Sequence, residues 1–470
     1  MKMRFVPLPL ATLVLSGCIA VGPDYETPET PVPDAWHRTV TADLASGAPQ
    51  LQTWWTVFND DMLNGLIDRV ATNNLNLKAA AARIEQAAAI RGVSASQFYP
   101  SIFADGSASA VQTTAARTPA GTDREGELYQ AGLSMAWELD LWGRIRRSVE
   151  SADATLQASV ENYRDLMVML YAQVASTYIE VRTLQRRIEL AENNLVAQSN
   201  TMELTKNRFD SGLAPLLDVS QAELNYSRTA SLIPLLKQQL TVAINRLGVL
   251  AGEMPYALEQ ELGPPASIPS ASAEIIAGLP SDLLRQRPDI RRAERELAAQ
   301  NARIGAAKAD LYPTLALPGA LVLESSSAGD LFDSASTAYS FGPQVRWNLF
   351  SGGRIRSQVR AEEAGTQAAL HAYEQTVLLA LEEVENSMAA YANEQDRIVS
   401  LETAAASAEK SVELVSELYS SGLTDFQNVL NMEQALLTQQ DTLAQSRGLV
   451  SAYLVAIYRS LGGGWKIEGM

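Results

Sequence analysis

Few residues of this chain could do chemistry. Its two histidines, His37 and His371, are isolated in the sequence, and Cys18 is the only cysteine among 470 residues. A structural zinc site needs four Cys or His ligands and a catalytic one three protein ligands, so no zinc set can be built from Cys and His here. A single thiol also leaves no disulfide within the chain. Ser325-Ser326-Ser327 falls where two strands should be connected and has no base to activate a hydroxyl. Gly462-Gly463-Gly464 has the glycine content of a phosphate loop but neither the Walker spacing nor the following Ser or Thr, so it reads as a chain-terminal turn. No catalytic residue, cofactor or metal is expected, and the chain is not expected to be an enzyme.

The chemistry that remains is modification of Cys18. Lys2 and Arg4 supply a positive start, Phe5 to Leu15 a short apolar stretch, and Leu15-Ser16-Gly17-Cys18 a small-residue cleavage site. The stretch is too short to span a bilayer. Residues 1–17 therefore read as a signal peptide, and Leu-Ser-Gly-Cys resembles a bacterial lipobox, which leaves Cys18 as a lipid-bearing N-terminus. The alternative is an ordinary signal peptide with a chance cysteine. Ile19 stands where lipoproteins kept in the inner membrane often have Asp, so the resemblance favours sorting to the outer membrane. A net charge of −17 argues against nucleic acid or anionic lipid as a partner, since both reward basic patches. No long apolar run follows residue 18, so a chain that crosses a membrane must do so as a closed barrel.

The elements that carry these residues come in duplicate. Tyr99-Pro100-Ser101 recurs as Tyr312-Pro313-Thr314, and Gly143-Arg144-Ile145-Arg146 as Gly353-Arg354-Ile355-Arg356. Phe209-Asp210-Ser211-Gly212-Leu213 recurs as Tyr419-Ser420-Ser421-Gly422-Leu423, and Leu247-Gly248 as Leu461-Gly462. The order and nearly the spacing are kept, which marks a duplication. Residues 18–60 read as a lipidated extended segment, 61–260 as the first repeat and 261–470 as the second.

Each repeat should hold a strand hairpin and then a long helical hairpin. Period-two alternation predicts strands over about 98–113 and 127–142, and again over about 312–325 and 337–350. Tyr129, Ala131, Leu133, Met135 and Trp137 alternate with polar residues, as do Tyr339, Phe341, Val345 and Trp347. Such faces suit a half-buried soluble sheet or a membrane barrel. An apolar seam of four-three spacing runs from Leu156 through Val160, Val174, Val181, Leu184, Ile188 and Leu195, and reappears from Leu370 to Leu401. This is the coiled-coil period. It predicts helices over about 148–211 and 357–421, the first about 95 Å long. Gly212 and Gly422 should end them, and return helices should run over about 216–247 and 424–460. Pro234 and Gly448 predict a kink or a break in each return helix.

Four strands cannot close a barrel, and open edges are not tolerated in lipid. Several chains would have to pool them, and a conducting pore favours three or more, because eight strands leave an interior filled by side chains. The competing reading is a non-conducting lipoprotein that spans the periplasm.

At this point the chain resembles the outer membrane factor family, the TolC-like efflux proteins, in its lipoprotein branch. The resemblance rests on the lipobox, Val21-Gly22-Pro23-Asp24-Tyr25, Trp54-Trp55, Leu279-Pro280-Ser281-Asp282-Leu283-Leu284, Arg287-Pro288-Asp289-Ile290 and Leu461-Gly462-Gly463-Gly464-Trp465. It implies a mainly α, mixed fold that trimerises into a 12-strand transmembrane β-barrel continuous with a 12-helix periplasmic α-barrel. It implies a passive, gated conduit that exports drugs and other small molecules, served by a periplasmic membrane-fusion adaptor and an inner-membrane drug transporter. A type I protein-secretion channel shares the family fold and is the runner-up.

The resemblance also assigns sites. Ser211-Gly212-Leu213 and Ser421-Gly422-Leu423 would be the tips that meet the adaptor. Tyr419 would belong to the periplasmic gate. The apolar and acidic gate positions that follow fall on Gln427 and Asn431, a departure that puts a carboxylate ring in doubt. Asp425 and Asp218 are acidic substitutes nearby, and Pro215 against Asp425 makes the two tips unequal.

Overall fold

The computed structural model describes residues 20–37, 51–114, 116, 124–271, 281–282 and 286–465. The signal peptide and Cys18 lie outside the described residues, as does most of the 279–284 motif. The fold is mainly α. In chain order the regular elements are α1 (Asp61–Asn73), α2 (Leu75–Ser96), β1 (Ser101–Gln112), β2 (Glu125–Ala136), β3 (Glu138–Leu139), α3 (Arg144–Asp210), α4 (Leu216–Leu250) and α5 (Glu259–Leu262). There follow α6 (Pro288–Ala309), β4 (Thr314–Ala316), β5 (Gly319–Ser325), β6 (Thr337–Phe341), β7 (Gln344–Arg346), α7 (Arg354–Ser420) and α8 (Phe426–Ser460). The duplication is exact in helix length: α3 and α7 have 67 residues each, α4 and α8 have 35, and α2 and α6 have 22.

Compactness divides the chain across the repeats. One unit comprises Met1–Glu29, Arg83–Ser159 and Arg292–Tyr373, and the other Thr30–Ala82, Val160–Arg291 and Glu374–Met470. The first unit holds the strands. An antiparallel sheet runs β1-β2-β5-β6, so the two repeats meet at the β2–β5 pairing, with Leu133 opposite Leu321. Gly132 makes that approach possible, because a Cβ there would lie 2.6 Å from the Leu321 carbonyl oxygen. A second sheet runs β3-β4-β7.

Three of the four expected strands are split. Trp137 interrupts the run from 125 to 139, with its Nε1 donating to Phe98 O at 2.9 Å. Pro318, with no N–H to donate, separates β4 from β5, and Gly342-Pro343 separates β6 from β7. Trp347 repeats the Trp137 contact, donating to Leu311 O at 3.1 Å. The start of the described chain is strapped to the same unit. Val21 N donates to Trp142 O at 3.0 Å, and Arg147 Nη2 to Asp24 Oδ1 at 2.7 Å. Gly22, at φ +100°, lies against the backbone of Gly305.

The second unit is built around aromatic residues and the coiled-coil seam. Trp54 stacks on Tyr458 at 5.5 Å and meets Trp55 and Phe58 edge-on, while Trp55 meets Tyr171 at 5.2 Å. Val174, Val181, Leu184, Ile188 and Ala191 of the α3 seam are buried, as are Val377, Ala380, Val384 and Tyr391 of α7. Gly462-Gly463-Gly464 forms the turn that closes α8: Gly463 N donates to Tyr458 O at 2.9 Å and Gly464 N to Leu51 O at 2.8 Å.

The return helices correct the expectation of a break, since α4 and α8 each run as one helix. Pro234 removes one hydrogen bond from the interior of α4, and the helix continues through it with Thr229 and Leu236 buried on either side. Gly448 has a different purpose. A Cβ there would overlap the Thr183 hydroxyl of α3, so this glycine lets α8 lie close to α3.

Candidate functional site

The two helix-to-helix turns in the second unit share one backbone solution. Gly212 and Gly422 sit at φ +72° and +73°, a region that only glycine enters without strain. In the first turn Gly212 N donates to Phe209 O at 2.9 Å and Leu213 N to Arg208 O at 2.8 Å. In the second, Gly422 N donates to Tyr419 O at 3.0 Å and Leu423 N to Leu418 O at 2.8 Å. This double closure of the last carbonyls is the Schellman arrangement. Pro215 and Asp425 then occupy the N-cap positions of α4 and α8 with extended backbone, and neither side chain caps its helix.

The side chains around the two turns differ. Leu213 and Leu423 are both exposed. After the first turn Leu216 and Leu217 remain exposed, and Phe209 before it is 38% exposed. At the matching positions of the second turn, Tyr419 is 4% and Phe426 2% exposed. These two rings lie 5.4 Å apart in a cluster with Val415, Val429, Leu430 and Ala222. Arg208 of α3 covers the Tyr419 ring at 4.8 Å and donates from Nη1 to Ser420 O at 3.0 Å. The Tyr419 hydroxyl and Arg208 Nε are buried without a hydrogen-bond partner among the described residues.

The residues assigned to the gate by resemblance therefore divide. Tyr419 points into the chain's own packing. Gln427 and Asn431 lie on an exposed face of α8, where Gln427 Nε2 donates to Asn431 Oδ1 at 3.0 Å and Gln427 Oε1 accepts from Gln221 Nε2 of α4 at 3.2 Å. Asp218 and Asp425 are electrostatic neighbours: burial pushes the Asp218 carboxyl above its ordinary range, the Asp425 charge adds to this, and Arg208 opposes it. An acidic pair from α4 and the second turn thus converges near one arginine of α3. The arrangement holds helices together through aromatic, cationic and amide contacts, and it presents no nucleophile with a base.

Sequence reasoning missed Arg208, Phe426 and Glu433. Glu433, 5% exposed, takes hydrogen bonds from Thr201 Oγ1 at 2.7 Å and Asn225 Nδ2 at 2.9 Å. A signal was available: Phe426, Glu433 and Gln440 are spaced by seven on α8, the period already used for the apolar seam.

The family described as outer membrane efflux protein matches residues 66–253 and 279–463. Nodulation protein T of Rhizobium leguminosarum bv. trifolii is 30% identical over 459 residues, covering 94% of each chain. The solvent efflux pump outer membrane protein SrpC of Pseudomonas putida is 30% identical over 472 residues, covering 99% of this chain and 100% of that one. Among solved structures, the outer-membrane channel OprN superimposes with a TM-score of 0.88 at 37% identity, covering 95% of this chain and 99% of that one.

Proposed function

The chain belongs to the outer membrane efflux protein family and serves as the outer-membrane channel of an efflux pump; from that premise we propose that three copies pool their strands and helical hairpins into one gated conduit. The observation that carries the assembly is the β1-β2-β5-β6 sheet. Its outer strands β1 and β6 have no further strand partner among the described residues, and every residue of both is exposed. A spanning sheet has to be closed on itself. Three copies give twelve strands in the barrel and twelve helices in the periplasmic tube.

Cys18 carries the lipid that anchors the N-terminus in the outer membrane. The channel works with a periplasmic adaptor and an inner-membrane transporter, and it passes drugs and other small molecules without binding them in a pocket. Ser211-Gly212-Leu213 and Ser421-Gly422-Leu423 are the adaptor-contact tips. Tyr419 acts in the gate from inside its own chain, by pinning α7 and α8 at the second tip, while Gln427, Asn431 and Asp425 stand at the exposed rim. Opening is a population shift in which the adaptor binds parted tips better than closed ones.

The test is size and conductance together. Purified protein should run as a trimer in detergent and carry current in planar bilayers. A trimer that never conducts would turn the proposal toward a structural lipoprotein.

A further inference from the structure

Above the tips, α3 carries polar residues at seven-residue spacing, and each meets the second repeat. The series is Arg187, Asn194, Thr201 and Arg208. Arg187 holds Asp441 of α8 through two hydrogen bonds of 2.6 and 3.1 Å. Asn194 Nδ2 donates to Gln440 Oε1 at 2.7 Å, and Thr201 Oγ1 to Glu433 Oε1 at 2.7 Å. Arg208 closes the series on Ser420 O at 3.0 Å. Seven residues advance about 10 Å along a helix and return to nearly the same face. Apolar seams give adhesion with little preference for register, whereas directional polar pairs penalise a slide of one turn.

The rungs are unequal. Arg187–Asp441 is a two-point charged pair, the stronger kind of hydrogen bonding, and Gln445 Nε2 adds a third bond to Asp441 at 2.6 Å. Glu433 is the opposite case. Its donors are the neutral Thr201 and Asn225, so a buried carboxylate is held without a cation. The charged residues nearest those donors in sequence, Glu203 and Lys206 on α3 and Glu223 and Arg228 on α4, are exposed. On α8 the nearest are Asp425 and Asp441, eight residues away on either side. On α7, where Val415 and Tyr419 line the cluster that includes Val429 and Leu430, the flanking Lys410, Glu413 and Glu417 are exposed as well. Burial pushes the Glu433 carboxyl up, and the two hydrogen bonds pull it the other way. One turn along α3 from Thr201, Gln198 is 3% exposed, and neither atom of its amide has a partner among the described residues. The middle of the seam thus buries a carboxylate that meets only neutral donors, one turn from an amide with no partner among the described residues.

We propose that this ladder is a register lock between the two hairpins, hinged at Arg187–Asp441 and released at Glu433, whose carboxylate regains water as the helices part below the hinge. This deepens the gating reading and rests on it. Parting hydrates the carboxylate, so the closed seam binds the proton more tightly than the open one. The closed seam is then favoured in full below the ordinary carboxyl value of 4.5, and that advantage is lost as pH rises through the raised value. Rising pH opens the seam, and acid closes it. Glu433→Gln keeps an acceptor for Thr201 and, once Asn225 turns its amide oxygen toward the new NH2 group, a hydrogen bond to Asn225, but it carries no charge to hydrate, so it should hold the seam shut at every pH.

The experiment places spin labels on Leu213→Cys and Leu423→Cys, both exposed, in chains diluted with unlabelled ones so that only the distance within one chain is read. From about pH 5 to about pH 8 the distance should lengthen by about 5 Å, the scale of one helical turn. In Glu433→Gln it should stay at the short value throughout. In Gln440→Ala, which removes a neutral rung, the pH midpoint should be unchanged. A Glu433→Gln chain that follows the parent's pH course, or a parent distance indifferent to pH, overturns the lock. Conductance of the same protein is a separate readout: a pH-dependent distance in a protein that never conducts would leave the lock standing and sink the channel reading.

Discussion

The first and second tips have the same backbone and opposite side-chain economies. Leu216 and Phe426 occupy the same position after the glycine, yet the first is 60% exposed and the second 2%. Phe209 and Tyr419 match before the glycine and differ in the same direction. Duplication has thus left one tip with its apolar residues outward, available to a partner, and one with its rings turned inward under Arg208. In the proposed channel the first tip is chiefly a docking point and the second chiefly a latch.

The largest effects should come from the feature the tips share. Gly212→Trp and Gly422→Trp place a side chain at positive φ and add bulk to the open surface of the tip, so drug export should fall to background in each while the trimer survives in detergent. Export that persists in both would remove the tips from adaptor contact. The next test separates the tips by stability. Phe426→Ala should cost about 3–5 kcal/mol, as for a buried ring, whereas Leu216→Ala should stay within about 0.5 kcal/mol, as for a surface change. Denaturant unfolding of the two variants checks it, and equal costs would erase the contrast. Smaller still, Arg208→Met loses one hydrogen bond and one cation–π contact, for about 1–2 kcal/mol in the same assay.

How much of this could be read from the sequence differs by feature. The repeat, the seam and the two tip glycines were legible because each is a local rule repeated twice. The apolar period marks a buried face without saying which neighbour covers it, so it did not show that the Tyr419 ring, given to the gate by resemblance, lies against Phe426. Gly448 does not break α8, and the reason for a glycine there, close approach to Thr183, is a packing fact that helix propensity does not record. Trp137, Pro318 and Gly342-Pro343 split strands that alternation alone had run together. The polar ladder was hidden because hydrophobic periodicity passes over the polar residues that share its period.

The most direct measurement is current through planar bilayers from matched variants at the two tips. Tyr419→Ala should raise conductance above that of the parent, since it removes the ring that Arg208 covers, and Phe209→Ala should leave it unchanged. Equal currents from Tyr419→Ala and the parent would contradict a latch at the second tip, and a rise from Phe209→Ala as large as from Tyr419→Ala would contradict the division of labour between the repeats.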